Sequence, residues 1–73
     1  MDTDTASLIA IILNGAPVET GHRTLAELIS GQGYAETEVA TALNGDFVAR
    51  GARVATLLRE GDRVEIVAPR QGG

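Results

Sequence analysis

The chain has no cysteine and no lysine, a single histidine, no basic run and no long hydrophobic run. Without cysteine there is no disulfide framework and no thiol chemistry of the chain's own. His22 alone cannot form a zinc site, which needs three or four protein ligands. With no evident partner it is not the base of a catalytic triad either, and beside the expected helix start it reads as a solvated loop residue. The missing lysines remove one nucleophile and mean that copies of the chain cannot be joined through lysine side chains. The six basic residues (Arg23, Arg50, Arg53, Arg59, Arg63 and Arg70) are scattered. Nucleic-acid binding calls for a basic stripe that neutralises phosphates, so it is not expected. The longest apolar run, Leu8 to Leu13, is six residues, far short of the ~20 needed to span a bilayer. The opening Met1 to Ser7 is polar and acidic, the opposite of a basic secretory leader. The expectation is a cytoplasmic chain with no membrane association.

What is present fits one small domain. There are 73 residues with a net charge of −4 and a pI near 4.7, and a domain of this size buries roughly 60% of its unfolded surface. Leu8 to Leu13 is too short for a typical helix and rich in branched residues, so it reads as a buried strand. Asn14-Gly15 then predicts a tight hairpin turn. Pro17-Val18-Glu19-Thr20 is the expected returning strand, with Pro17 at its start or on an edge. Thr24-Leu25-Ala26-Glu27 has capping-box spacing. Leu25, Leu28 and Ile29 make one apolar stripe, and Gly31 and Gly33 signal a stop after about two turns. Glu38 to Leu43 and Phe47-Val48-Ala49 flank a second Asn-Gly, Asn44-Gly45, which predicts a second hairpin. Gly51 to Leu58 reads as irregular, anchored by Leu57 and Leu58. After the Gly61-Asp62 turn, Val64, Ile66 and Ala68 alternate with charged residues as a last strand, which Pro69 ends.

A last strand arriving after the helix can lie parallel to the first in the middle of the sheet, where near-continuous apolarity suits it. The expected fold is α+β: a mixed sheet of four to five strands with one helix packed across it, the ubiquitin-like β-grasp arrangement. The expected layout is a disordered leader at 1–7, the domain at 8–68 and a flexible tail at 69–73. The sheet face away from the helix is the expected partner surface, because the first strand is apolar on both sides. That apolarity is equally what a central strand needs.

Catalytic patterns are absent from the sequence. Gly31-Gln32-Gly33 follows a helix instead of opening one, so it lacks the N-terminal anion site of a phosphate loop. Glu36 and Glu38 read as solvated charges of a loop or strand start. The chain alone is not expected to be an enzyme. The terminal Gly72-Gly73 has a physical use: without Cβ atoms it can thread a narrow channel and bring its carboxylate close to a nucleotide. The five residues from Pro69 reach up to about 17 Å at ~3.4 Å each.

Three stretches together resemble a known family: Asn44-Gly45-Asp46-Phe47-Val48-Ala49-Arg50, then Leu58 to Val67 with its Gly61-Asp62 turn, then the terminal Gly72-Gly73. They are similar to the ThiS sulfur carriers of thiamine biosynthesis, and the likeness runs from about Leu8 onward. Ala49 stands where that family usually has proline, and the aromatic or histidine frequent near Arg53 is missing. The resemblance implies that Gly73 carries the chemistry, while Pro69, Arg70, Gln71 and Gly72 bind the partner. An adenylating, ubiquitin-activating-like enzyme would use ATP and Mg to activate the Gly73 carboxylate; the carrier itself binds no cofactor. A sulfur donor such as a cysteine desulfurase would convert the adenylate to a thiocarboxylate, and thiazole synthase would receive the sulfur. The alternatives are a molybdopterin-type sulfur carrier, a ubiquitin-like protein modifier, and an interaction domain whose tail is idle. Copurifying partners would separate the first, a Gly73 isopeptide the second, and indifference to removal of Gly72-Gly73 the third.

Overall fold

The computed structural model describes residues 8–68; the leader expected at 1–7 and the tail expected at 69–73 lie outside them. The two Asn-Gly dipeptides build the two hairpins. Asn14 (φ 50°) and Gly15 (φ 87°) join β1 (Ile9–Leu13) to β2 (Ala16–Thr20), and Asn44 (φ 52°) and Gly45 (φ 90°) join β3 (Ala40–Leu43) to β4 (Asp46–Val48). Positive φ at both central residues is what a type I′ turn demands, and asparagine followed by glycine meets it at least cost. Between the hairpins lies α1 (Leu25–Gly31), and β5 (Arg63–Val67) comes last. The sheet order is β2-β1-β5-β3-β4, with β5 parallel to β1 and antiparallel to β3. The expected β-grasp architecture is the one observed. Pro17 lies on the edge strand β2, opposite Ile12, where its missing N–H costs no inner ladder bond.

Helix α1 starts as its cap predicts: the Thr24 hydroxyl accepts the Glu27 N–H at 3.1 Å. The Glu27 carboxylate takes the N–H of Arg23 at 2.7 Å, one residue ahead of the usual capping-box partner. At the other end Gly33 (φ 90°) lets the chain close a Schellman motif. The Tyr34 N–H donates to the Ile29 carbonyl (3.2 Å) and the Gly33 N–H to that of Ser30 (3.0 Å). The apolar stripe Leu25, Leu28 and Ile29 is buried against Ile11, Val39, Leu58, Val64 and Ile66.

Four details depart from the sequence reading. Glu36–Glu38 forms a 3₁₀ turn, so the third strand begins at Ala40 and not at Glu38; Glu38 reaches back to the N–H of Ala35 at 2.9 Å. The stretch read as irregular holds a longer 3₁₀ segment, Arg50–Ala55. Of its two expected anchors only Leu58 is buried, and Leu57 is exposed. Leu57 bridges Thr24 in extended backbone, where neighbouring side chains face opposite ways. His22 is half-buried instead of solvated, its imidazole lying over Gly31, where any Cβ would collide with it.

The largest departure is Arg53, which is 2% exposed. Burying a cation is costly unless its donors are satisfied, and here they are met by neutral acceptors. Nη2 donates to the Val39 carbonyl (2.7 Å), Nη1 to the Glu36 carbonyl (2.8 Å) and Nε to the Thr41 hydroxyl (3.1 Å). That hydroxyl in turn donates to the Val48 carbonyl at 2.9 Å. One side chain thus ties the 3₁₀ segment to the turn before β3, to β3 and, through Thr41, to β4. Arg53→Leu should destabilise the domain by at least about 2 kcal/mol, since it strands buried carbonyl oxygens. Arg53→Lys, with a point charge in place of the planar fork, should recover only part of that loss. Urea unfolding of the three proteins reads the difference.

Candidate functional site

The features that the sequence singles out converge on β5. The parallel seam between β1 and β5 is short in backbone terms, pairing Ile12 with Arg63 and Leu13 with Val64. The Ile12 N–H donates to the Asp62 carbonyl and the Asn14 N–H to that of Val64, both at 2.9 Å. Beyond these bonds the seam is extended at each end by other groups. Toward the start of β1, the Gly61 N–H donates to the Ala10 carbonyl at 2.7 Å, and the Glu60 carboxylate accepts the Ala10 N–H at 3.0 Å. Toward the end of β5, the side chain of Asn14 takes the place of backbone. Its Oδ1 accepts the Ile66 N–H at 2.9 Å and its Nδ2 donates to the Ile66 carbonyl at 3.2 Å.

The second turn asparagine serves the opposite end of the same strand. Asn44 Oδ1 accepts the Arg63 N–H (2.8 Å), the Asn44 N–H donates to the Arg63 carbonyl (2.7 Å), and Nδ2 donates to Asp62 Oδ1 (3.0 Å). The other Asp62 oxygen accepts the Arg59 N–H at 2.8 Å, closing the turn in which Gly61 has φ 87°. Asn14, Asn44, Glu60, Gly61 and Asp62 are therefore one apparatus that seats β5. Arg53 completes it from the far side: the Thr41 it holds stands opposite Ile66, and Ala40, next to its Val39 acceptor, stands opposite Val67.

The expected site residues Pro69, Arg70, Gln71, Gly72 and Gly73 lie outside the described residues. What the structure places is the point from which they continue. Val67 ends β5 opposite Ala40 of β3, past the last β1 residue that pairs with the strand, and Ala68, half-buried, packs against the core. The sheet face away from α1 carries Ala10 and Ile12 of β1, Ala40 and Ala42 of β3, Val67 of β5 and Phe47 of β4, alternating with the inward side chains. Phe47 is 73% exposed and Val67 60% exposed. Arg63, Glu65 and Glu19 set charges among them. Ile12 of the inner strand β1 is half-buried on this face, whereas Phe47, on the edge strand β4, and Val67, at the end of β5, are exposed. Among the described residues no group of His, Asp and Glu is placed to hold a metal ion, and no helix is long and apolar enough to cross a membrane.

Sequence reasoning recognised the asparagines as turn formers but missed what their amides do. The available signal was the choice of asparagine at both turns, since glycine would make the turn equally well. Glu60 and Arg53 gave no signal of their own.

A mixed sheet grasping one helix, with its central strand seated so thoroughly and handing on to a glycine-ended tail, defines the class of ubiquitin-like β-grasp carrier domains. The model of the ThiS family matches residues 7–73, and the chain belongs to that family of small sulfur carriers, which are not catalysts. The crystal structure of the thiamine biosynthesis protein ThiS from Geobacter metallireducens is 32% identical in sequence, with a TM-score of 0.73 over 89% of this chain and 100% of that one. The solution structure of a thiamine biosynthesis protein from the same organism is likewise 32% identical, with a TM-score of 0.74 over 89% and 88% of the two chains. No curated protein matches significantly.

Within the β5 apparatus, Gly61 offers a clean test. A Cβ there would meet nothing within 4 Å, so the cost of Gly61→Ala is the left-handed backbone alone, about 1–2 kcal/mol. The melting temperature should fall by roughly 4–8 °C per kcal/mol in a domain of this size. Gly61→Asn should lose less, because asparagine tolerates that backbone.

Proposed function

We propose that the chain is the sulfur carrier of thiazole formation in thiamine biosynthesis, and that the carboxylate of Gly73 is the group that is activated. The observation that carries the reading is membership of the ThiS family across nearly the whole chain, joined to a central strand that is held on both sides near its end at Val67, six residues before Gly73. A carboxylate is a poor acyl donor, and a mixed anhydride with AMP supplies a good leaving group. The adenylating partner forms that anhydride from ATP with Mg, releasing pyrophosphate. A persulfide from a sulfur donor such as a cysteine desulfurase displaces AMP. Cleavage of its sulfur–sulfur bond by a second thiol then leaves the Gly73 thiocarboxylate, which thiazole synthase consumes.

In this division of labour the domain supplies aim, and Gly72-Gly73 supply access. The absence of Cβ atoms at the last two positions suits a channel too narrow for side chains. Pro69 to Gln71 steer the tail. The face bearing Phe47 and Val67 suits a partner that covers exposed apolar groups, and it adjoins the end of β5, so a protein docked there stands beside the departing chain.

Intact mass spectrometry of the chain, coexpressed with its adenylating enzyme and supplied with ATP and a sulfur donor, tests the proposal. A gain of about 16 Da, one oxygen replaced by sulfur and localised to Gly73, is expected. Removal of Gly73 should abolish the gain while leaving the melting temperature unchanged. An unmodified mass with all components active would sink the carrier reading in favour of an interaction domain.

A further inference from the structure

The β1 backbone makes its last bond to β5 at the Asn14 N–H, which donates to the Val64 carbonyl at 2.9 Å. The chain then turns away through Asn14-Gly15 into β2. The next groups of β5 on that side, the N–H and C=O of Ile66, have no strand left to pair with. They are met instead by the Asn14 side-chain amide, with an acceptor for the N–H and a donor for the carbonyl (2.9 and 3.2 Å). A primary amide reproduces a peptide group's donor and acceptor, and of the residues that tolerate φ near 50° only asparagine brings both. Glycine has neither, and ionised aspartate has acceptors alone. On its other side Ile66 stands opposite Thr41, whose hydroxyl Arg53 holds.

We propose that Asn14 is a positioning residue for activation of the Gly73 carboxylate. By standing in for the missing strand at Ile66, it fixes the line along which β5 hands the chain on to Pro69. The inference rests on the reading of Gly73 as the activated group. The Asn14-Gly15 turn and the last residue of β5 share one end of the sheet, because β1 and β5 are parallel. Asn44 makes the natural control. It has the same turn geometry and a comparable pair of contacts to β5, but at Arg63, the end remote from the tail. Loss of either asparagine weakens the seating of β5, and only loss of Asn14 releases the end that leads to Gly73.

The test compares the full-length chain with Asn14→Gly, Asn14→Asp and Asn44→Gly. Stability is measured by urea unfolding, exchange of the Ile66 amide by NMR, and adenylation by ATP–pyrophosphate exchange with the adenylating enzyme. Glycine keeps both turns open to the left-handed backbone; Asn14→Asp serves if Asn14→Gly fails to fold, since it retains the acceptor for the Ile66 N–H. Reacting groups carried off line lose rate steeply, and the expected result for both Asn14 variants is a kcat lower by about fivefold. Their KM for the carrier should stay within about twofold of the parent, because in this account Asn14 acts on aim and not on docking. The Ile66 amide should exchange faster in Asn14→Gly, which removes its acceptor, while Asn44→Gly loses similar stability and keeps its kcat.

An equal fall of kcat in Asn44→Gly would make the effect general destabilisation and overturn the proposal. A rise in KM alone would mean that Asn14 touches the partner directly, and faster Ile66 exchange with unchanged kcat would show that aim is set elsewhere. Either result overturns it as well. Failure of the parent chain itself to be adenylated by an active enzyme would instead remove the reading of Gly73, and this proposal with it.

Discussion

Everything in this domain is arranged around the parallel seam between β1 and β5. The two strands come from opposite ends of the described chain, and the Asn14 amide meets an Ile66 that is 52 residues away. Parallel pairing is slightly less stable per residue than antiparallel pairing, and the backbone part of this seam is only two residue pairs long. The chain compensates by lengthening it with whatever is at hand: a glutamate carboxylate and a turn N–H at one end, an asparagine amide at the other. The core follows from the same seam. Ile11 of β1 and Val64 and Ile66 of β5 form the floor on which Leu25, Leu28 and Ile29 of α1 rest.

Arg53 performs on the β3 side what Asn14 does on the β1 side. A buried guanidinium bound to carbonyls and a hydroxyl is more directional than an apolar contact, because its planar fork admits one arrangement of acceptors. It fixes the approach to β3 and, through Thr41, the join to β4. A domain with no disulfide to draw on thus uses polar side chains to specify which strands meet, and apolar ones to hold them together. Among the described residues every buried side-chain nitrogen and oxygen has a partner, as a core of this size requires.

How much of this could be read beforehand depended on how local each signal was. Both hairpins were legible because asparagine followed by glycine determines a turn within two residues. The helix was legible because the Thr24 cap and the Leu25-Leu28-Ile29 stripe lie within six residues of one another. The central place of the first and last strands followed from their apolarity and from topology. Arg53 was illegible: an arginine between Ala52 and Val54 looks like a surface charge, and nothing nearby states that three acceptors between Glu36 and Thr41 await it. The amide roles of Asn14 and Asn44 were hidden for the same reason, since their partners are far away in sequence. Leu57 and Leu58 could not be ranked without knowing which way the bridge to Thr24 turned them. For the tail, the sequence supplied a resemblance and a chemical argument, and the structure adds the point of departure.

The long separation along the chain between β1 and β5 also has a kinetic meaning. Contacts between residues far apart require a large loop to close before any stabilisation is gained, and this slows folding. The N-terminal hairpin can form early, but a lone hairpin is at best marginally stable in water. Its apolar floor stays uncovered until β5 arrives between it and β3. The strand that leads to the C-terminal glycines is therefore the piece whose docking completes the fold. A half-built domain has no ordered β5 to offer, and a partner that reads the seated end of that strand is at the same time inspecting whether the carrier has finished folding.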